Sequence, residues 1–245
     1  MAAALSVLAA FLLAAFLLAG CSASAPARRP ASAGDAHSVL PGPDLPSPAT
    51  PTPAGRPRRS PGAIPVAPHA GRRPQTRASP SAHAPAFRAA MTDLWMAVRT
   101  GKPRYGRPAF FPLAAYTQVK AIPAPSADWH HRLFGDFRLD VAAAHDLLGA
   151  SARKARLVRV IVPAAEASWI NPGVCDNSIG YWHVAGARVV YREAGRIRSF
   201  GIASLISWRG VWYVVHFGAV LRSSAAGVVD QPAAGTGVAG PPGGC

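Results

Sequence analysis

Hydrophobic and polar positions divide the chain into four stretches of different character. Residues 1–20, MAAALSVLAAFLLAAFLLAG, form an apolar run that contains no charged side chain. Residues 21–85 have no apolar periodicity, residues 86–222 have the spacing first of helices and then of strands, and residues 223–245 are rich in Gly, Ala and Pro. We therefore predict one folded domain, 86–222, between a linker and a tail that stay disordered.

The first half of the predicted domain has the spacing of amphipathic helices. In AFRAAMTDLWMAVRTG, apolar residues recur at helical spacing between residues 87 and 98, and Gly101 follows as a C-cap. This pattern predicts a helix. A second, shorter helix is predicted over residues 113–120, and a third in DFRLDVAAAHDLLGA, where Gly149 ends the pattern.

From Arg156 onward, β-branched and aromatic residues replace the helical pattern. The predicted strands are ARLVRVIV, then SIGYWHV and ARVVYRE as one bent strand or two, then RIRSFGIASLISW and GVWYVVHFGAVL. The connections EAG and WRG are short and contain Gly, which favours hairpin turns. Helices followed by an antiparallel meander indicate an α+β fold, with N-terminal helices packed on a curved sheet.

This order of elements resembles the cone-shaped nuclear-transport-factor-like fold and, more loosely, cystatin-type sheets. The stretch SWRGVWYVV is similar to uncharacterised secreted proteins of actinobacterial type. The resemblance is architectural and rests on no motif, so it implies a fold and no activity.

The linker has the composition of a tether. Residues 22–85 contain 15 Pro among Ala, Ser, Thr, Gly and Arg, and few apolar residues. Such a segment buries too little apolar surface to offset the entropy of ordering itself. Because the chain also carries a net charge of +15, we expect a basic, extended tether that is attracted to anionic surfaces.

The apolar run ends in Leu18-Ala19-Gly20-Cys21, which resembles the lipobox of bacterial lipoproteins. In that family the cysteine sulfur takes a diacylglyceryl group and the preceding peptide is removed. The resemblance therefore implies a signal peptide over residues 1–20 and membrane attachment through a lipid on Cys21, at the extracytoplasmic face of the cell membrane. Two or three acyl chains anchor a protein stably where one chain does not. The alternative is a plain signal peptide or a short membrane helix with a chance cysteine.

The stretch SWINPGVCDNSIGYWHV is the densest in chemically active side chains. Its NPG turn signal predicts that Cys175, Asp176 and Asn177 lie in a loop between strands. Three roles are open for Cys175. It forms a disulfide with Cys245, it is an inert thiol, or it is a nucleophile activated by His183.

Two histidines on predicted strands are candidates for acid–base chemistry. His183 is expected to share a strand face with Tyr181, and His216 to share one with Trp212. If that face lines a pocket, either imidazole could work with Asp176 as a catalytic dyad. The alternative is that both histidines are hydrogen-bonded groups of the core.

Aromatic and basic residues form a second candidate set, for binding. Its members are Trp169, Asn171, Asn177, Tyr181, Arg198 and Arg209. Stacking and charge could together recognise a glycan, an anionic wall polymer or another envelope protein. For the aromatic residues of SWRGVWYVV, the alternative is packing in the core of the sheet.

Several function classes lack their sequence signals. The chain has no G-x-G-x-x-G, P-loop, G-x-S-x-G or H-E-x-x-H motif, and no Cys/His cluster at zinc spacing. We therefore expect no cofactor and no metal. Few carboxylates are present, which disfavours glycoside hydrolysis, and export disfavours nucleic acid as a partner.

Two functions remain open for the folded domain. The first is a non-catalytic binding or accessory domain that recognises a small ligand, a wall polymer or a partner protein. The second is a small acid–base or thiol enzyme that uses Cys175, Asp176, His183 or His216. The enzyme requires a pocket into which at least two of these four side chains converge.

Overall fold

The computed structural model describes residues 69–240 and gives an α+β architecture, as the sequence predicts. The helices are α1 (Pro85–Thr100), α2 (Leu113–Val119), α3 (Pro125–Asp128) and α4 (Phe134–Leu148), and a π-helix (Trp129–Leu133) joins α3 to α4. The strands are β1 (Arg156–Ile161), β2 (Ser168–Ile170), β3 (Tyr181–Glu193), β4 (Arg196–Trp208), β5 (Val211–His216) and β6 (Ala233–Ala234). None of the helices in this part of the chain is long and apolar enough to cross a membrane.

The sheet is antiparallel, with the strand order β1-β3-β4-β5. The short strands β2 and β6 pair with β3 and β4 respectively. Ala194-Gly195 and Arg209-Gly210 form the two hairpin turns, and all four residues have positive φ. This backbone matches the twist of the strands on either side, which favours tight hairpins. The predicted meander is therefore confirmed, and β3 is a single long strand.

The helices bury their apolar sides against one face of this sheet. The ring of Trp95 in α1 lies 5.3 Å from that of Tyr191 in β3. The ring of Phe137 in α4 lies 5.9 Å from that of Phe217, just after β5. The first helix ends at Gly101, whose φ of 61° is the left-handed C-cap conformation that the sequence predicts. The three predicted helices are thus confirmed, whereas α3 and the π-helix were not expected.

The fold extends N-terminally beyond the predicted boundary at residue 86. The segment 69–84, expected to belong to the disordered linker, packs on the domain instead. The indole Nε1 of Trp208 donates to the Ala70 carbonyl at 3.0 Å. The Gln118 side-chain amide donates to the Gly71 carbonyl at 2.8 Å. The remainder of the predicted linker, the predicted signal peptide and the lipobox lie outside the described residues.

The fold also extends C-terminally beyond residue 222. Residues 223–240, predicted to be a disordered tail, run along the sheet and contribute β6. The Gly201 amide donates to the Asp230 carbonyl at 2.7 Å, and the Gly240 amide donates to the Gly186 carbonyl at 3.2 Å. These bonds correct the prediction for this segment, and residues 241–245 lie outside the described part of the chain.

A fully buried carboxylate joins α4 to the chain that follows β5. Asp140 Oδ2 accepts hydrogen bonds from the Gly218 amide, at 2.8 Å, and from the Arg222 guanidinium. Asp140 Oδ1 accepts one from the Val228 amide at 2.9 Å. Arg222 also lies 3.2 Å from a carboxylate oxygen of Asp136. The two aspartates of α4 therefore fix the course of the C-terminal segment.

We expect Asp140→Ala to lower the free energy of unfolding by about 3 kcal/mol, because it leaves two amides without their acceptor and takes from the largely buried Arg222 one of its two carboxylate partners. Denaturant unfolding measures the effect. The matched control is Asp146→Ala, an exposed position of the same helix, which should change stability by less than about 0.5 kcal/mol. Equal stability of the two variants would refute the anchoring role of Asp140.

Candidate functional site

A cavity of about 560 Å³ lies between the sheet, α2, the π-helix and the loop that joins β2 to β3. Cys175, Asp176, His183 and His216 all line it, so the four candidate catalytic residues of the sequence converge on one place. Its apolar wall consists of six aliphatic side chains, Val119, Leu133, Ile170, Ile206, Val215 and Val220.

A β-bulge in β5 turns the side chain of His216 toward the cavity. Leu205 pairs with Val214, but the next residue of β4, Ser204, pairs with His216, so Val215 is an extra residue in β5. Directly opposed residues of an antiparallel pair share a face, and one inserted residue reverses the alternation that follows it. His216 therefore lies on the face of Ser204. The expectation that it shares a face with Trp212 is wrong.

The two imidazoles differ in their partners. His183 Nε2 lies 2.8 Å from Ser204 Oγ, and burial lowers the pKa of this histidine. No residue of the described chain hydrogen-bonds to the His216 ring. Burial, aided by nearby cationic groups, lowers the pKa of His216 to about 4. Both rings are therefore neutral near pH 7, and no hydrogen bond within residues 69–240 links either one to Asp176.

The loop before β3 is held by the end of α2. The Ser178 amide donates to the Val119 carbonyl at 2.7 Å, and the Ala121 amide donates to the Asp176 carbonyl at 2.8 Å. The Lys120 ammonium donates to the Cys175 carbonyl at 2.7 Å. These bonds explain how two consecutive residues, Cys175 and Asp176, are kept at φ values of 58° and 54°, which side chains with a Cβ rarely adopt.

Asn177 supports the cavity wall from within this loop. Its Nδ2 donates to the Val174 carbonyl at 2.7 Å and to the Tyr181 hydroxyl at 2.9 Å. Its Oδ1 is buried and accepts no hydrogen bond from the described residues. Because Tyr181 accepts the amide proton, its own hydroxyl proton remains available to a bound molecule.

Cys175 is disulfide-bonded. This disulfide contradicts the inert-thiol and nucleophile interpretations, because a bonded sulfur carries no thiolate. The predicted pairing with Cys245 stays a prediction. The other two cysteines of the chain, Cys21 and Cys245, lie outside the described residues.

Two lining residues, Tyr116 and Arg132, belong to a charged network that the sequence did not predict. The Arg132 guanidinium donates to both carboxylate oxygens of Asp128, at 2.7 and 2.6 Å, and to the Tyr116 hydroxyl at 3.1 Å. Tyr116 in turn donates to Asp128, and burial is the main cause that raises the pKa of this tyrosine. The i, i+4 spacing of Asp128 and Arg132 was the one available signal, but it also fits an ordinary surface pair.

The candidate binding residues do not form one surface. Asn177 and Tyr181 line the cavity. Trp169 packs edge-on against Trp182, with ring centroids 5.7 Å apart. Arg198 pairs with a glutamate at 2.9 Å, and Asn171 is exposed.

Arg209, the last member of that set, lies in the β4–β5 turn. Its amide donates to the Gln75 side-chain oxygen at 2.6 Å, so it helps to hold the N-terminal segment. Of the aromatic residues in SWRGVWYVV, Trp208, Trp212 and Tyr213 are each only 1% exposed. They pack in the core, which was the alternative left open for this stretch.

Among residues 69–240, no group of three or more His, Cys, Asp or Glu side chains is placed to hold a metal ion. Comparison of the chain with protein-family models, curated proteins and solved structures gives no match. The chemistry of the cavity and the sequence are therefore the observations that bear on function.

We expect Cys175 to resist alkylation at neutral pH until the protein is reduced, because its sulfur is already bonded. Peptide mass spectrometry before and after reduction measures this, and the peptide released with Cys175 identifies its partner. Rapid alkylation without reduction would contradict the disulfide and would return the thiol enzyme to consideration.

Proposed function

We propose that this protein is an exported lipoprotein, anchored through Cys21 at the extracytoplasmic face of the membrane, whose folded domain binds a small ligand in the cavity. The lipobox-like sequence supports the anchor. The convergence of polar and aliphatic side chains on one cavity supports the binding function.

The cavity is the single observation that carries this proposal. Its volume of about 560 Å³ falls in the range of pockets that enclose a small organic molecule. Aliphatic side chains on several elements provide an apolar wall, and polar groups on α2, the π-helix, the β2–β3 loop, β3, β4 and β5 provide orientation. Such a combination is typical of ligand-binding sites.

We also propose that the α+β fold is a cone of the nuclear-transport-factor-like kind. The enclosure of a cavity between the helices and one face of an antiparallel meander supports it. This likeness carries no activity.

An acid–base enzyme is the second candidate, favoured by the convergence of His183, His216 and Asp176 on one cavity. Two observations favour a binding protein over this enzyme. A histidine with a pKa of about 4 is a weak base near neutral pH. The other histidine is engaged by Ser204, and no carboxylate of the described chain orients either ring.

Val220→Trp should weaken binding of the fluorescent apolar probe N-phenylnaphthylamine about tenfold or more, because the indole fills part of the cavity. The measurement is a fluorescence titration of the chain from Ser22 to Cys245, which contains every described residue. Leu221→Trp is the matched control, since Leu221 is 89% exposed and does not line the cavity. If the wild type does not bind the probe, or both variants bind alike, the cavity is not the binding site.

Cys21→Ser should abolish incorporation of labelled palmitate and release the protein from the membrane fraction, since the sulfur is the proposed site of acylation. Cell fractionation with metabolic labelling measures both effects. Cys245→Ser is the control and should leave labelling unchanged. Unchanged membrane retention and labelling of Cys21→Ser would refute the anchor.

A further inference from the structure

We infer that the ligand is an anionic amphiphile, whose acidic group lies against His216 and Lys120 while its apolar body fills the aliphatic part of the cavity. This inference rests on the proposed binding function and specifies the class of ligand.

Within residues 69–240, several hydrogen-bond donors on the polar side of the cavity have no protein acceptor for all of their protons. The Lys120 ammonium has three protons and uses one on the Cys175 carbonyl. The Tyr181 hydroxyl accepts from Asn177 and keeps its own proton. The His216 ring has no protein partner within the described residues. These groups offer donors, and the complementary ligand group is therefore an acceptor.

Basic residues surround the His216 ring. The groups that act on its ring come from four elements: Arg132 of the π-helix, Arg222 after β5, Lys120 after α2 and His183 of β3. Each of them disfavours the protonated ring.

The two arginines are paired, because Arg132 contacts Asp128 and Arg222 contacts Asp136 and Asp140, so these charges offset one another. Lys120 forms no ion pair among the described residues, and Asp176, which also lines the cavity, is exposed at the edge of the loop. An ammonium without a carboxylate partner and an imidazole without a hydrogen-bond partner therefore both line the cavity, and an anion beside them would be stabilised.

The position of His216 in the cavity also makes the affinity for an anion depend on pH. In the empty cavity the pKa of His216 is about 4, so the ring is neutral near pH 7. A bound anion stabilises the imidazolium and raises that pKa, so binding takes up a proton. Affinity for an anion should thus rise as pH falls from about 7 toward about 5. Affinity for a neutral molecule of the same shape should not.

Two fluorescent probes with the same ring system test this inference. Anilinonaphthalene sulfonate carries a sulfonate that stays ionised throughout this pH range, and N-phenylnaphthylamine lacks it. With the chain from Ser22 to Cys245, we expect the sulfonate to bind about tenfold more tightly than the neutral probe at about pH 5. We expect a smaller difference at about pH 7 and one bound probe per chain.

Substitutions assign the effect to the two residues. His216→Phe should remove the pH dependence of sulfonate binding, and Lys120→Met should weaken the sulfonate several-fold more than it weakens the neutral probe. The matched controls are His83→Phe and Lys154→Met, both at exposed positions, and they should behave as the wild type does. Lys120→Arg should recover most of the loss if charge, and not loop structure, is the cause.

Each outcome decides a different claim. Binding of neither probe overturns the proposed function together with this inference. Equal binding of both probes at every pH overturns the inference and leaves the binding cavity in place. A loss in Lys154→Met as large as that in Lys120→Met assigns sulfonate binding to the basic surface and also overturns the inference.

Discussion

The buried carboxylate of Asp140 is the contact on which the cavity side of the molecule depends. It accepts hydrogen bonds from the Gly218 and Val228 amides and from Arg222, so it fixes the chain directly after β5. His216 lies only two residues before Gly218 in sequence. The carboxylate of Asp140 therefore holds the end of β5, which carries His216. It also holds the C-terminal segment 223–240, which runs along the sheet.

The bulge in β5 shows how a local irregularity assigns side chains to a face. A regular ladder would place His216 on the opposite face from Ser204, outside the cavity, whereas the extra residue Val215 turns it inward. The sequence of β5 contains no Gly or Pro that marks the irregularity. The position of the bulge follows from the pairing of β5 with β4 and from the anchoring of the chain that follows β5. Both are tertiary contacts, which the local sequence does not show.

The helices and strands with strong periodicity were predictable because side-chain spacing determines them. The terminal segments were not, because they attach to the domain largely through backbone groups, as at Gly201, Asp230 and Gly186, and such bonds leave no side-chain pattern. The four catalytic candidates were selected by their residue types, and all four line the cavity. Lys120 and Arg132 were missed, because a basic residue on a helix end looks the same in sequence whether it faces a cavity or solvent.

The attachment of the N-terminal segment has a mechanical consequence. Ala70 and Gly71 are held by Trp208, at the end of β4, and by Gln118, in the last turn of α2. Tension that arrives along the chain from its N-terminal side is therefore transmitted through these two hydrogen bonds to the end of β4 and to α2. Since Val119 and Lys120 follow Gln118 directly and line the cavity, a pulling force on this segment would reach the cavity wall as well as the sheet.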